Sequence, residues 1–229
     1  MQRCGATRNQ GACLMITALL FIKAHSARVA DKNFRMLGGR PLFCRMVQTL
    51  RSVEQIDRIV VNSDAGDRLL EMGLIPDERL ALKQRTESLL GDTVSANQLI
   101  AHELSEEDAD LFLMTHVTSP FLTAATIQRA IAAFETGQGD SLFGVTRLQT
   151  RLYSADGTAI NHSPAELIPT QDLAPVYEEN SSIYVFTKAG FEGTGSRIGK
   201  DPILFETPSL ESLDIDTEAD WSLAERLDR

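Results

Sequence analysis

Cysteine is scarce in this chain: Cys4, Cys13 and Cys44 are the full set, and no two of them are spaced as C-x-x-C. An odd count without that spacing excludes a disulfide framework and a zinc ribbon, and makes a reducing cytoplasm the expected setting. Aromatic residues amount to 6%, too few for a base-stacking surface. Positive charge is short as well, with 22 Lys and Arg against 32 Asp and Glu and a formal net charge of −10. A nucleic-acid backbone demands a broad positive field, so it is not the expected partner. No membrane partner is expected either, because Leu14–Ile22, the longest apolar run near the N-terminus, contains Thr17 and falls far short of roughly 20 residues. The polar stretch ahead of it has no signal-peptide core, and residues 1–14 read as a tail before one domain over 15–229, with Met15 as an alternative start. G-x-x-x-x-G-K-[ST] is missing, and G-x-G-x-x-G follows no strand candidate, which weakens kinase, GTPase and dehydrogenase readings.

What is present is an ordinary globular composition, 43% hydrophobic and 24% charged, enough to build a substantial core. Short apolar runs alternate with amphipathic stretches, the pattern of an α/β fold with a mainly parallel sheet. The strand candidates are 15–22, 58–62, 111–115, 141–146 and 183–186. Helical spacing of apolar residues occurs over 41–52, 93–103 and 124–134, the second introduced by Asp92 or Thr93 as a cap. From about Arg147 to Glu179 the alternation stops at Pro164, Pro169, Pro175 and the Asp156-Gly157 turn, which predicts an excursion from the main sheet.

Two constellations carry chemistry. Behind the first strand, Lys23, Arg28, Lys32, Arg35, Arg40 and Arg45 face only one acid, Asp31, in an otherwise acidic protein. A loop leaving a buried strand can turn backbone N–H groups and such cations onto an anionic ligand; a solvated basic face is the alternative. Near the C-terminus, Asp214 and Asp216 flank Ile215, and on an extended segment their carboxylates share one side and suit a hard cation, Mg²⁺ above all. Asp216 or Thr217 capping a helix through Trp221 and Leu227 is the competing role, and the two can coexist. Between these ends, His116, Thr118 and Ser119 follow a strand candidate, where open α/β sheets place ligands, and loop capping is their alternative. Tyr177-Glu178-Glu179-Asn180 offers polar groups just before another strand.

These landmarks, in this order, resemble the cytidylyltransferases that activate acidic sugars, including the CMP-sialic acid and CMP-KDO synthetases. That family opens with a loop of the form A-R-x-G-S-K-x-x-x-x-K-N followed by G-K-P-L. Here Lys23-Ala-His-Ser-Ala-Arg28 through Lys32-Asn33 aligns without a gap, and Gly39-Arg40-Pro41-Leu42 follows. Val60-Val-Asn-Ser-Asp64, Thr118-Ser-Pro-Phe-Leu122, Tyr177-Glu-Glu-Asn180 and Asp214-Ile-Asp-Thr217 recur in sequence, so the resemblance runs from Met15 to the C-terminus.

The resemblance implies a Rossmann-like nucleotide-diphospho-sugar transferase fold with a mixed, mostly parallel sheet, a dimerisation insertion at about 147–179, and a homodimer. It implies CTP and an acidic sugar as substrates, a CMP-sugar and pyrophosphate as products, and Mg²⁺ as cofactor. Lys23 and Lys32 would face the triphosphate, with Ser26, Arg28, Asn33, Arg85, Asp92 and Ser95 on the nucleotide side. Asp214 and Asp216 would hold the metal, Asp214 doubling with Lys23 and Lys32 in catalysis. His116, Thr118, Ser119, Gln171, Tyr177, Glu179 and Asn180 would meet the sugar. Departures qualify the substrate: His116-Val-Thr-Ser-Pro120 replaces a Gln-Pro-Thr-Ser-Pro common in sialic acid enzymes, Ala24 and His25 replace loop glycines, Arg28 sits one place late, and Pro169 replaces a basic residue. A nonulosonic acid other than sialic acid is therefore expected. A KDO or other sugar nucleotidyltransferase and a non-catalytic nucleotide-sugar binder are the alternatives, the latter weakened by retention of both aspartates.

Overall fold

The computed structural model describes residues 14–228; the expected N-terminal tail, apart from Leu14, lies outside the described residues, as do Cys4 and Cys13. In chain order the elements are β1 (Ile16–Ile22), β2 (Met36–Leu37), β3 (Arg40–Pro41), α1 (Leu42–Arg51), β4 (Arg58–Ser63), α2 (Gly66–Glu71), β5 (Leu80–Gln84), α3 (Ala96–Glu106), β6 (Leu111–Thr115), α4 (Ala124–Thr136), β7 (Ser141–Leu148), β8 (Val176–Phe186), α5 (Lys188–Thr194), β9 (Pro202–Glu206) and α6 (Glu218–Leu227). Seven strands form one sheet in the order β5-β4-β1-β6-β8-β7-β9, and β2 and β3 form a small separate ribbon. Neighbouring pairs are parallel except where β8 meets β6 and β7, so β8 alone runs against the rest.

Side chains alternate across a strand, so every second residue of β1 serves a different layer. Ile16, Ala18, Leu20 and Ile22 pack with Leu42, Met46, Ile127, Ile131 and Trp221, which places α1, α4 and α6 on one face. Leu19 packs with Ile100, Leu104 and Phe191 on the other, beneath α3 and α5. Both faces of β1 are thus covered, and that is why the run reads as apolar save for Thr17. Each fully buried Leu or Ile in it contributes about 1.5–3 kcal/mol of burial.

The expected strands and long helices are all present, with three corrections of detail. Ser95, not Asp92 or Thr93, caps α3: its side chain accepts the Gln98 N–H, and Gln98 reciprocates. β8 starts at Val176 rather than Ile183, because 176–179 pair with Leu148–Val145 in an antiparallel ribbon. The departure from the sheet is therefore confined to residues 149–175. Four strands and two helices also lie outside the expected set: β5 and β9 at the sheet edges, β2 and β3 in the separate ribbon, and the short helices α2 and α5.

Strand order reverses between β1 and β6, which are adjacent although the chain visits β4 and β5 between them. Consecutive loops leave that point in opposite directions and open a crevice at the carboxyl ends of the strands. The segments after β1 and β6 border it.

Candidate active site

The loop after β1 keeps its shape without the glycines of the resembled motif. The Ala24 N–H donates to the Asp64 carboxylate at 2.6 Å, and the Asn33 side-chain amide donates to the Lys23 carbonyl at 2.9 Å. Asp31 turns the chain at φ 56°, a left-handed conformation that Asp tolerates better than most residues, and its carboxylate pairs with Arg68 at 2.8 Å. That guanidinium holds the Asp31 carboxyl below the usual range. Val29 is fully buried and anchors the middle of the loop.

Held this way, Lys23, Ser26, Arg28, Lys32 and Asn33 line a cavity of about 420 Å³ with Arg85, Asp92, His116 and Thr118. Nine of the residues singled out in the sequence therefore converge, from four separate stretches of chain. Ser95 is spent on capping α3, and its neighbours Val94 and Ala96 supply the wall instead. The Asp92 carboxylate lies 3.5 Å from Lys23 Nζ across the mouth. The basic cluster itself divides: Arg35 pairs with Glu218 at 2.7 Å over the Trp221 ring, and Arg45 pairs with Asp228, so these two dock α6.

Arg85 is 4% exposed and aligned by acceptors on the cavity floor. Its Nε donates to Asn62 Oδ1 at 2.8 Å, and Nη2 donates to the carbonyls of Ile22 and Asn62, both at 3.2 Å. Burial pulls its pKa down from the usual arginine value. Asn62 in turn donates to the wholly buried Glu103 at 2.7 Å, and Lys83 bridges Glu103 and Glu107 at 2.9 and 2.8 Å. This support was not legible in sequence, since Asn62, Lys83 and Glu103 fall in unrelated segments.

The two ends of the chain meet at Lys32. Its Nζ donates to the Ile215 carbonyl at 2.6 Å and lies 3.3 Å from Asp216, whose carboxylate also receives Arg28 at 2.7 Å. Thr217 caps α6 in a reciprocal box with Asp220, so the capping role falls to Thr217 and leaves Asp216 facing the basic loop. Asp214 is different: its Oδ1 is buried with no hydrogen-bond partner among the described residues. Burial raises its pKa, the Asp216 charge adds to this, and Thr118, Lys32 and Arg28 oppose it.

Asp214 and Asp216 line a second cavity of about 420 Å³ with Glu178, Glu179, Asn180, Ser181 and Ser212. The Lys32 and Arg28 contacts to Asp216 join it to the first. A bulge builds this second wall: Phe143 pairs with Tyr184 and Val145 with Glu179, so one residue of β7 faces four of β8. Ser181 sits in the bulge at φ 57°. Gly144 opposite is required, because a Cβ there would lie 2.5 Å from Ser182 Oγ and 2.8 Å from Asn180 Oδ1. Asn180 is buried and donates to Thr207 Oγ1 at 2.7 Å.

Other expected sugar contacts separate. Ser119 is buried with its N–H on the His116 carbonyl and lines neither cavity. Gln171 is exposed on a 3₁₀ turn of the 149–175 segment, and Tyr177 is exposed with its hydroxyl on Glu206 at 3.2 Å. His116 is half-buried, and burial, Arg197 and Lys32 hold its pKa down to about 4 against the pull of Asp216. Arg197 carries no sequence signal, because the glycine-flanked run Gly195-Ser-Arg-Ile-Gly199 has no periodicity that marks it.

A switch-point crevice joining a cationic loop to paired carboxylates defines a site for nucleotide-phosphate chemistry. The cytidylyltransferase family model matches residues 21–228, and the chain belongs to that family. It is 28% identical to a CMP-N,N'-diacetyllegionaminic acid synthase of Legionella pneumophila, over 93% of this chain and 96% of that one. It is 24% identical to an N-acylneuraminate cytidylyltransferase of Escherichia coli, covering 91% of this chain and about half, 51%, of that protein's length. Among solved structures, a 4-diphosphocytidyl-2C-methyl-D-erythritol synthase from Anaerococcus prevotii superposes with a TM-score of 0.68 at 16% identity, over 95% of this chain and 97% of that one. A CMP:2-keto-3-deoxy-manno-octonic acid synthetase complexed with CTP gives 0.65 at 11% identity, over 93% and 98%. At those identities the likeness concerns the fold, a Rossmann-like mixed sheet.

Proposed function

We propose that this cytidylyltransferase condenses CTP with an acidic nonulosonic sugar, releasing a CMP-sugar and pyrophosphate. The observation that carries the proposal is the meeting of Lys32 and Arg28 with Asp216, which puts a cationic cavity and an acidic cavity in contact. The activities named for the Legionella and Escherichia relatives support the substrate class. Lys23, Lys32 and Arg28 then offset triphosphate charge, Ser26 and Asn33 border it, and Arg85 seats the nucleotide from the cavity floor. The sugar's anomeric oxygen bonds to the α-phosphorus while the bond from that phosphorus to the departing pyrophosphate breaks. The hydroxyl proton passes to Asp214, whose partnerless oxygen and raised pKa suit a general base. Catalysis is otherwise positioning and electrostatics.

The same carboxylates fit Mg²⁺: two oxygen donors line one cavity, one of them buried without a partner, beside a place for phosphate oxygens. Bound by Asp216 with Asp214, the ion would supply charge neutralisation at the phosphates. The 149–175 segment, with Leu167 82% exposed and Ile160 57% exposed, supports a homodimer formed through it. No described helix is long and apolar enough to cross a membrane. A CTP substrate and the free thiol of Cys44 suit a cytoplasmic location.

Pyrophosphate release with each nucleoside triphosphate, Mg²⁺ and a panel of nonulosonic acids tests the proposal. CTP with one or more of these acids is expected to turn over. Turnover with KDO alone, or with no acid at all, would refute it.

A further inference from the structure

Behind the two cavities lies a cation that lines neither, contacts one lining residue of each, and has no part in the chemistry above. Arg197, in the loop after α5, has a side chain only 19% exposed, and its guanidinium carbon stands 3.8 Å over the Tyr184 ring. Nη2 approaches Glu179 at 3.4 Å on the second-cavity side. Nη1 approaches His116 Nε2 at 3.5 Å on the first-cavity side, with Met114 Sδ at 3.9 Å. Its backbone N–H reaches Asn97 Oδ1 at 3.4 Å. The loop is thereby held, and the guanidinium is fixed behind the imidazole.

A guanidinium can only donate. The His116 Nε2 that faces it must carry a lone pair, so in the neutral ring the proton resides on Nδ1. Among the described residues Nδ1 has no hydrogen-bond partner, and the residue lines the first cavity. We propose that Arg197 is a positioning residue for the sugar subsite: it locks His116 as the Nδ1–H tautomer, so that the site offers a neutral donor and selects a sugar with an acceptor oxygen at that point.

The surroundings agree. From the β1 loop comes Lys32, from β8 come Tyr184 and Glu179, and from the approach to α6 comes Asp216; burial together with Arg197 and Lys32 outweighs Asp216 and keeps the ring uncharged at neutral pH. Tyr184 packs edge-on to the ring at 6.3 Å, and its hydroxyl donates to Glu179. Glu179 therefore takes both Tyr184 and Arg197, which holds the guanidinium beside His116. A residue that merely filled space behind Tyr184 would have no need of donors placed on a lining residue of each cavity.

This inference rests on the proposed function only for the identity of the ligand. The tautomer can be read directly in ¹⁵N-labelled protein by long-range ¹H–¹⁵N correlation of the four imidazoles, His116 being assigned by the signal lost in His116→Gln. The wild type is expected to show the Nδ1–H pattern, and Arg197→Met a mixture of tautomers. With the nonulosonic acid turned over best, Arg197→Met is expected to raise the sugar KM about tenfold with kcat within about twofold. In a His116→Gln background the same change is expected to add little, because its action runs through the imidazole. Arg197→Lys, which keeps the charge and loses the fork, gives an intermediate tautomer mixture and serves if Arg197→Met does not fold. An Nε2–H signal in the wild type, or an unaltered His116 pattern in both Arg197 variants, overturns the inference. So does an Arg197→Met effect that persists in full beside His116→Gln, which would make Arg197 a direct sugar contact. If no acid is turned over, the functional proposal fails while the spectra still decide the coupling.

Discussion

Lys32→Met tests the junction of the two cavities, because the side chain has both a structural and a ligand-facing task. Lys32 is 8% exposed, and removing its ammonium deprives the fully buried Ile215 of the donor 2.6 Å from its carbonyl. An unsatisfied buried acceptor costs about 1–3 kcal/mol. The ion pair adds less, since the Asp216 side chain is 36% exposed and keeps Arg28 at 2.7 Å; about 0.5 kcal/mol is a fair allowance. Urea unfolding should therefore show a loss of about 2 kcal/mol. Triphosphate binding loses a charge-assisted hydrogen bond, about 1.5–3 kcal/mol, so calorimetry should report CTP affinity weaker by about tenfold to a hundredfold. Arg28→Met is the control: with 65% of its side chain exposed, it should cost stability no more than about 0.5 kcal/mol while still weakening CTP. Unchanged CTP affinity in Lys32→Met would reduce Lys32 to a strut and refute the phosphate assignment. Equal stability losses in the two variants would refute the reasoning about Ile215.

Asp214→Asn is expected to separate activity from stability. The raised Asp214 pKa means that the folded protein favours the protonated carboxyl, so stability is lost as pH rises from the unfolded value near 3.8 through the folded one. The variant should unfold later in urea at pH 7 by about 0.5–2 kcal/mol, an advantage that vanishes below pH 3.8, while turnover falls at least about a hundredfold. A variant no more stable than wild type at pH 7 contradicts the burial argument. Ser181→Val, which forces a β-branched side chain into φ 57°, should destabilise by about 1–2 kcal/mol and raise the sugar KM; an unchanged unfolding midpoint would show that the bulge relaxes freely. Leu167→Glu should convert a dimer to monomers in analytical ultracentrifugation, and a dimer that survives it assigns the interface elsewhere.

Sequence alone determined the parts of this protein whose signals are local. β1, β4 and β6 are covered on both faces, so their residues are almost all buried and mainly apolar, with Thr17, Asn62, Ser63 and Thr115 the buried polar exceptions, and their runs stand out. α1, α3 and α4 carry an apolar stripe at helical spacing, and Thr217 announces α6 through its capping chemistry. The order of the basic loop, the polar landmarks and the paired aspartates was enough to place the chain among the cytidylyltransferases. Edge elements escaped because they are buried on one side at most: β5 and β9 are short and half-exposed, β9 begins with Pro202, and α5 contains Gly190 and Gly193. Only the tertiary structure distinguished Asp214 from Asp216. The two differ by one intervening residue, yet Asp216 meets Lys32 and Arg28 from 184 and 188 residues away while Asp214 buries an oxygen that has no hydrogen-bond partner among the described residues. Whether a carboxylate is neutralised or left to take a proton depends on what surrounds it, and those surroundings exist only after the switch point between β1 and β6 brings the ends of the chain together.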